Sequence, residues 1–353
     1  AGWCNAKQFS AKQVSAPAVR SDAREGVRIV RAKLLHGEAF KPFSPCASPF
    51  LAFETDSYCV FFKPAYMHSV PASAEDSKGS LLTWVRDNYP SLESAYDSLD
   101  PVDPDPARSS AASTEAACAR ARRELGMLSR LDSETSGLVA FARRPEVFFK
   151  ALEAQISGRI RKKYWLLVIQ AFQQEGLEGS KPRCLSWDTG DPVLAGREFS
   201  VESYFRSYGP RGSRVACLGL QTRLEEVRKT KKKLSPILYR SDFHPLGKVR
   251  EGGDEGLPSL AGCLAWEASI SAGFRHQIRA HMAWCGHPIA GDQLYGQASP
   301  GQNAESGAIR EALLDSSPAS PARLFLECHR LELGSPGGGT EIFELAGENS
   351  PKR

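Results

Sequence analysis

Met127-Leu128-Ser129-Arg130-Leu131-Asp132-Ser133-Glu134-Thr135-Ser136-Gly137-Leu138-Val139 is the stretch on which the fold turns. Apolar residues lead into Arg130-Leu131-Asp132, and a polar turn with Ser133, Thr135 and Ser136 follows. Gly137 permits a tight backbone before the strand-like residues 138–142. This order can hold one carboxylate at a sheet edge, inside a cleft. By composition alone, Asp132 reads as a turn or helix-cap aspartate, because Asp beside Ser and Thr is ordinary turn chemistry.

A second segment runs Ala272-Gly273-Phe274-Arg275-His276-Gln277-Ile278-Arg279-Ala280-His281-Met282, then Gly286-His287-Pro288-Ile289-Ala290-Gly291-Asp292-Gln293-Leu294-Tyr295-Gly296. A helix is expected over 276–285, stopped by Gly286 and Pro288. On it Ile278 and Met282 share an apolar face at i, i+4, while Gln277, Arg279 and His281 project elsewhere. Alone, such a helix reads as a solvated basic face.

Outward from these two stretches, residues 50–62 read as a hairpin or a turn into a strand, ended by Lys63-Pro64. Residues 145–157 carry a helical spacing, with Pro145 in the first turn and Gly158 as the stop. Residues 164–169, 201–205, 215–220, 263–270 and 324–333 read as strands. Residues 27–30 read as a short helix or strand. Gly-, Pro-, Ser- or Asp-rich composition predicts loop-like insertions near 91–123, 173–199 and 241–260. Strands and helices mix without a strict βαβ rhythm and no repeat emerges, so the class is α+β. The organisation is an extension over 1–49, a catalytic domain over 50–345 and a tail over 346–353.

Composition sets outer bounds. A chain of 353 residues with 41% hydrophobic and 24% charged residues suits a globular protein. The net charge of +4 is too small to imply a nucleic-acid partner by itself. Nine scattered cysteines with no C-x-x-C spacing argue against a disulfide framework and a zinc ribbon, and suit a reducing compartment. No apolar run approaches the roughly 20 residues of a membrane helix. The N-terminus lacks the order of a secretion signal, so a cytoplasmic location without a membrane partner is expected.

The two long segments together resemble the RluA-type RNA pseudouridine synthases. That family's nucleophile motif runs His-Arg-Leu-Asp, two variable residues, Thr-Ser-Gly-Leu. Residues 130–138 reproduce it, with Ser129 in place of the usual His. The second motif is matched at Gly273, 276–279, His281, 286–289, Gly291, Asp292, Tyr295 and Gly296, with Phe274-Arg275 replacing the common Arg-Thr pair. Lys63-Pro64-Ala65 resembles the family's first motif, with Tyr66 where glycine is usual, and Lys162-Lys163-Tyr164 resembles its Lys-x-Tyr region. Residues 325–333, with His329, resemble its closing strand.

The resemblance implies a pseudouridine synthase fold: a mixed, largely antiparallel sheet flanked by helices, with a central active-site cleft. It implies isomerisation of uridine to pseudouridine in structured ribosomal or transfer RNA, with base flipping and no cofactor or metal. Carried over to this chain, Asp132 is the nucleophile, Arg279 the basic partner of that aspartate, and Tyr164 the tyrosine stacked on the target base. Arg130 fills or holds the space the base leaves. RNA contacts are expected from Arg161, Lys162, Lys163, His276 and Gln277, with further phosphate candidates at Arg159 and in the run 228–233. Residues 1–48 look too short for the S4 RNA-binding domain of many relatives, and a monomer is expected. The competing reading is an RNA-binding protein that keeps the fold without the chemistry, motivated by Ser129, Tyr66, Phe274-Arg275 and the insertions. Aspartic protease, metal hydrolase, P-loop and nucleophile-elbow readings lack their second carboxylate, ligand spacing or motif.

Overall fold

A computed structural model describes residues 27–28, 43, 48–72, 79–97, 99, 111–169, 190–219, 237–248, 263–296, 323–335 and 338–345. The expected extension, apart from the short stretches just given, lies outside them. So do residues 170–189 and 249–262, the basic run 228–233 and the tail 346–353.

The strands are β1 (Val27–Arg28), β2 (Phe50–Glu54), β3 (Tyr58–Lys63), β4 (Ser136–Ala142), β5 (Arg161–Ile169), β6 (Phe199–Tyr208), β7 (Arg214–Leu218), β8 (Tyr239–Lys248), β9 (Cys263–Ile270), β10 (Leu326–Gly334) and β11 (Thr340–Glu344). The helices are α1 (Leu81–Asn88), α2 (Pro90–Asp97), α3 (Ala111–Arg123), α4 (Pro145–Ile156) and α5 (Gln277–Trp284). Among the described residues the strands join one sheet in the order β2-β3-β4-β10-β5-β9-β8-β6-β7, with β11 beside β10 and β1 beside β11. The pairings β4/β10 and β1/β11 are parallel. The remaining pairings are antiparallel. This is the α+β, largely antiparallel architecture expected from the motifs.

The middle of the sheet is covered on both faces, so its strands read as continuous apolar runs rather than alternations. Every residue of β3 and β4 is buried. Phe61 of β3 meets Tyr89 after α1 edge-on at 4.9 Å. Helix α4 buries Val147, Phe148, Ala151 and Ala154. Gly137 sits where β4 and β10 pair, with φ of 119°; a Cβ there would fall 2.3 Å from the Cys328 carbonyl oxygen. Only glycine fits both constraints.

Two expectations are corrected. Residues 91–123 are not simply a loop: α2 and α3 occupy much of that span. Pro90 opens α2 where its missing N–H costs nothing, and Leu92 and Tyr96 bury one face at i, i+4. The Tyr96 hydroxyl donates to the Ala142 carbonyl at 2.9 Å. Residues 241–248 are likewise strand rather than insertion. Pro245 is tolerated because β6 pairs with β8 only through Phe243, and the β8/β9 register shifts between Pro245 and Gly247.

Candidate active site

Asp132 lies in the loop that leads into β4. Residues 126–128 run back along the end of β4, through hydrogen bonds from Leu128 N to Ala140 O and from Ala142 N to Gly126 O. The chain between must therefore turn sharply. Ser69 clamps Leu131 on both sides, donating from Oγ to its carbonyl at 2.7 Å and accepting from its N–H at 3.0 Å. The buried Lys63 Nζ donates to the carbonyls of Pro64, Met67 and Ser133. The first motif thus fixes the loop that bears Asp132. The family resemblance marked Lys63 as part of a motif, but its three carbonyl partners come from chain up to 70 residues away.

Asp132 faces a cavity of about 590 Å³ lined by Arg130, Lys162, Tyr164, His276, Arg279 and others, within the roughly 300–1,000 Å³ of small-ligand sites. Its side chain keeps 24% exposure. Burial pushes its carboxyl above the ordinary range, while His276, Arg279 and Lys63 oppose the rise.

The second motif supplies the opposite wall. His276 holds a left-handed backbone at φ 56° ahead of α5. Its Nδ1 lies 3.1 Å from the Tyr295 hydroxyl, and its Nε2 faces the Asp132 carboxylate at 3.9 Å. Burial lowers the His276 pKa, outweighing the pull of Asp132.

Arg279 lines the same cavity, but its direct partners are others. Nε and Nη2 donate to the two Asp292 oxygens at 2.8 Å each, and Nη1 donates to Glu134 at 3.3 Å. The expected contact with Asp132 is therefore an influence at longer range, because the guanidinium is held by carboxylates on either side. Burial works against the Arg279 charge, yet the bonds to Asp292 prevail and hold it firmly protonated. Asp292 also accepts from the N–H groups of Leu294 and Tyr295, so the second half of the motif orients the first.

Tyr164 is buried on the cavity wall, and burial pushes its phenol well above the ordinary range. Alternation along β5 then splits the basic cluster. Lys162 and Tyr164 line the Asp132 cavity, whereas Arg161 and Lys163 line a separate cleft with Arg240 and Asp242. Lys163 is paired with Glu267 at 2.7 Å. Arg130 stands at the rim, 50% exposed and bonded to the buried Glu124. Gln277 is buried, donating to the Arg240 carbonyl at 2.9 Å and accepting from Phe274 N at 2.9 Å. Its amide is committed within the fold, while the residue lines the same cavity as Asp132.

Missed by sequence reasoning were Glu124, Glu134 and Asp292 as anchors. Asp292 carried a signal, since it sits inside the second motif. Glu124 had none, being a lone acid after an arginine run. Among the described residues no three of His, Cys, Asp and Glu converge as metal ligands would, and no helix is long and apolar enough to cross a membrane.

This chain is similar to known proteins. Residues 57–284 match the family model described as RNA pseudouridylate synthase. A 42-residue segment is 43% identical to the ribosomal large subunit pseudouridine synthase D of Nitrosomonas europaea, covering 12% of each chain. Among solved structures, human RNA pseudouridylate synthase domain containing 1 aligns at 15% identity and a TM-score of 0.48, over 88% of this chain and 86% of the other. Human RNA pseudouridylate synthase domain containing 4 aligns at 14% and 0.44, over 80% and 83%. The family match spans well over half of the 353 residues and takes in Asp132, Tyr164 and Arg279, so the chain belongs to the RluA-type RNA pseudouridylate synthase family.

Proposed function

We propose that this protein converts uridine to pseudouridine in structured RNA, with Asp132 as the essential carboxylate. The reading rests on one observation above all: Asp132 keeps 24% exposure at the wall of a cavity shared with Tyr164, His276 and Arg279. The reaction breaks the C1′–N1 bond, turns the uracil and joins C5 to C1′. The ring loses a proton at C5 and gains one at N1, so atoms and electrons balance without a redox partner or cofactor. A carboxylate can serve by attacking the ribose, by attacking the base or by assisting a glycal route, provided it is ionised. The permanent charge of Arg279 favours that ionised form against burial.

A cavity of about 590 Å³ suits a single nucleoside, so the target base must leave its stack at a cost of a few kcal/mol. The half-exposed position of Arg130 at the rim supports a role in occupying or bracing the vacated position. Ribosomal or transfer RNA is the substrate class, read by a cytoplasmic monomer. The test is tritium release from RNA labelled at uridine C5. Wild type releases tritium, and Asp132→Asn does not. RNA binding by the wild type without release would assign the chain to RNA binding instead.

A further inference from the structure

Lys162 is a largely buried cation that opens on the Asp132 cavity. Its residue is 6% exposed, and among the described residues no carboxylate or carbonyl accepts from its Nζ. Lys163, one residue on, is paired with Glu267 at 2.7 Å, and Arg279 is held by Asp292 and Glu134. Of these three cations, only Lys162 has all its donors uncommitted, and it lines the Asp132 cavity. Its stem is buried while Nζ opens into the cavity, so an acceptor on a bound ligand can reach its uncommitted donors.

Its surroundings say which part of a nucleotide arrives there. Lys162 shares a face of β5 with Tyr164, on a central strand between β10 and β9. The Cys328 thiol beside it is pushed up to about 12 by burial and stays uncharged at neutral pH. Burial lowers the Lys162 pKa, opposed by Cys328 and Asp132, and no hydrogen bond joins it to Asp132. The exposed Gly273 lies beside it, where a Cβ would stand 3.1 Å from Nζ. In a flipped nucleotide the phosphates stay with the RNA chain at the mouth, near Arg130 and the exposed Arg275. The base goes deepest.

We propose that Lys162 holds the uracil while it is detached, its Nζ donating a hydrogen bond to a carbonyl oxygen of the ring. This rests on the uridine-isomerising reading above, and it replaces a phosphate contact for this residue with a base contact. When C1′–N1 opens, its electron pair stays on the ring and spreads to the carbonyl oxygens. A fixed ammonium stabilises that charge without taking or giving a proton. The pair then forms the C5–C1′ bond, water takes the C5 proton, and N1 takes one from water.

The experiment is single-turnover tritium release by the full chain from C5-labelled ribosomal and transfer RNA transcripts, with RNA affinity measured in parallel. Lys162→Met should slow release by about 100-fold or more, the scale of losing one donor to a developing negative charge, with RNA affinity within about threefold of wild type. Lys162→Arg, which keeps the charge, should restore most of the rate. Replacing an unpaired buried charge should leave the melting temperature equal or higher; if Lys162→Met fails to fold, Lys162→Gln is read the same way. A Met variant within about threefold of the wild-type rate overturns the proposal, as does a loss found wholly in RNA affinity. An inactive wild type sinks the uridine-isomerising reading and this one with it, whereas an active wild type beside an unaffected Met variant sinks this one alone.

Discussion

Arg279 closes on Asp292 through two parallel 2.8 Å hydrogen bonds, Nε to Oδ2 and Nη2 to Oδ1, while its third nitrogen reaches Glu134. The cation that favours an ionised Asp132 is therefore locked before any substrate arrives. A preorganised charge of this kind costs no reorganisation at the moment of reaction.

Breaking that lock should be severe. Asp292→Ala leaves a buried guanidinium short of its main partner, at a cost of about 3–5 kcal/mol. The double variant Arg279→Met, Asp292→Leu should recover much of that loss while remaining inactive. Urea unfolding of the single and double variants checks both, and an Asp292→Ala protein as stable as wild type would refute the structural role.

Gly137→Ala should destabilise by about 2–5 kcal/mol, combining strain at positive φ with collision against the Cys328 backbone. The change is measured by thermal melting. It should also lower activity, because Gly137 is the second residue of β4, the strand into which the Asp132 loop leads.

The pH dependence of stability should show Glu267. Burial opposes its ionisation, but His329 at 3.1 Å and Lys163 at 2.7 Å bring its pKa down to about 2. A carboxyl depressed in the fold contributes fully above its unfolded value of 4.5, and the contribution fades as pH falls toward about 2. That contribution is about 3 kcal/mol at neutral pH. Glu267→Gln should therefore be clearly less stable at pH 7 and nearly equal to wild type near pH 2. An equal gap at both values would contradict the assignment.

Much of this was legible in the sequence, because local rules and two motifs agreed. The strand at Cys263–Ile270 and the helix after Pro145 followed from alternation, spacing and end signals. What escaped was set by distant chain. Helix α2 hides in Ser- and Asp-rich sequence, since Tyr96 earns its place only by reaching Ala142, 46 residues on. Strand β8 looks like an insertion until its proline is seen beyond the reach of β6. In the site, Asp132, Tyr164 and Arg279 share one cavity as the motifs implied. The burial of Gln277 and the opposite facing of Lys162 and Lys163 were decided by sheet pleat and by contacts with Arg240 and Glu267.

The central claim is that a single ionised carboxylate at position 132 drives the rearrangement. Purified protein and Asp132→Asn are each incubated with unmodified RNA transcripts, which are then digested to nucleosides and separated. Wild type should yield a pseudouridine peak, while the variant should bind the same RNA, melt at an equal or higher temperature and yield none. A variant that still makes the product at a comparable rate would contradict the account.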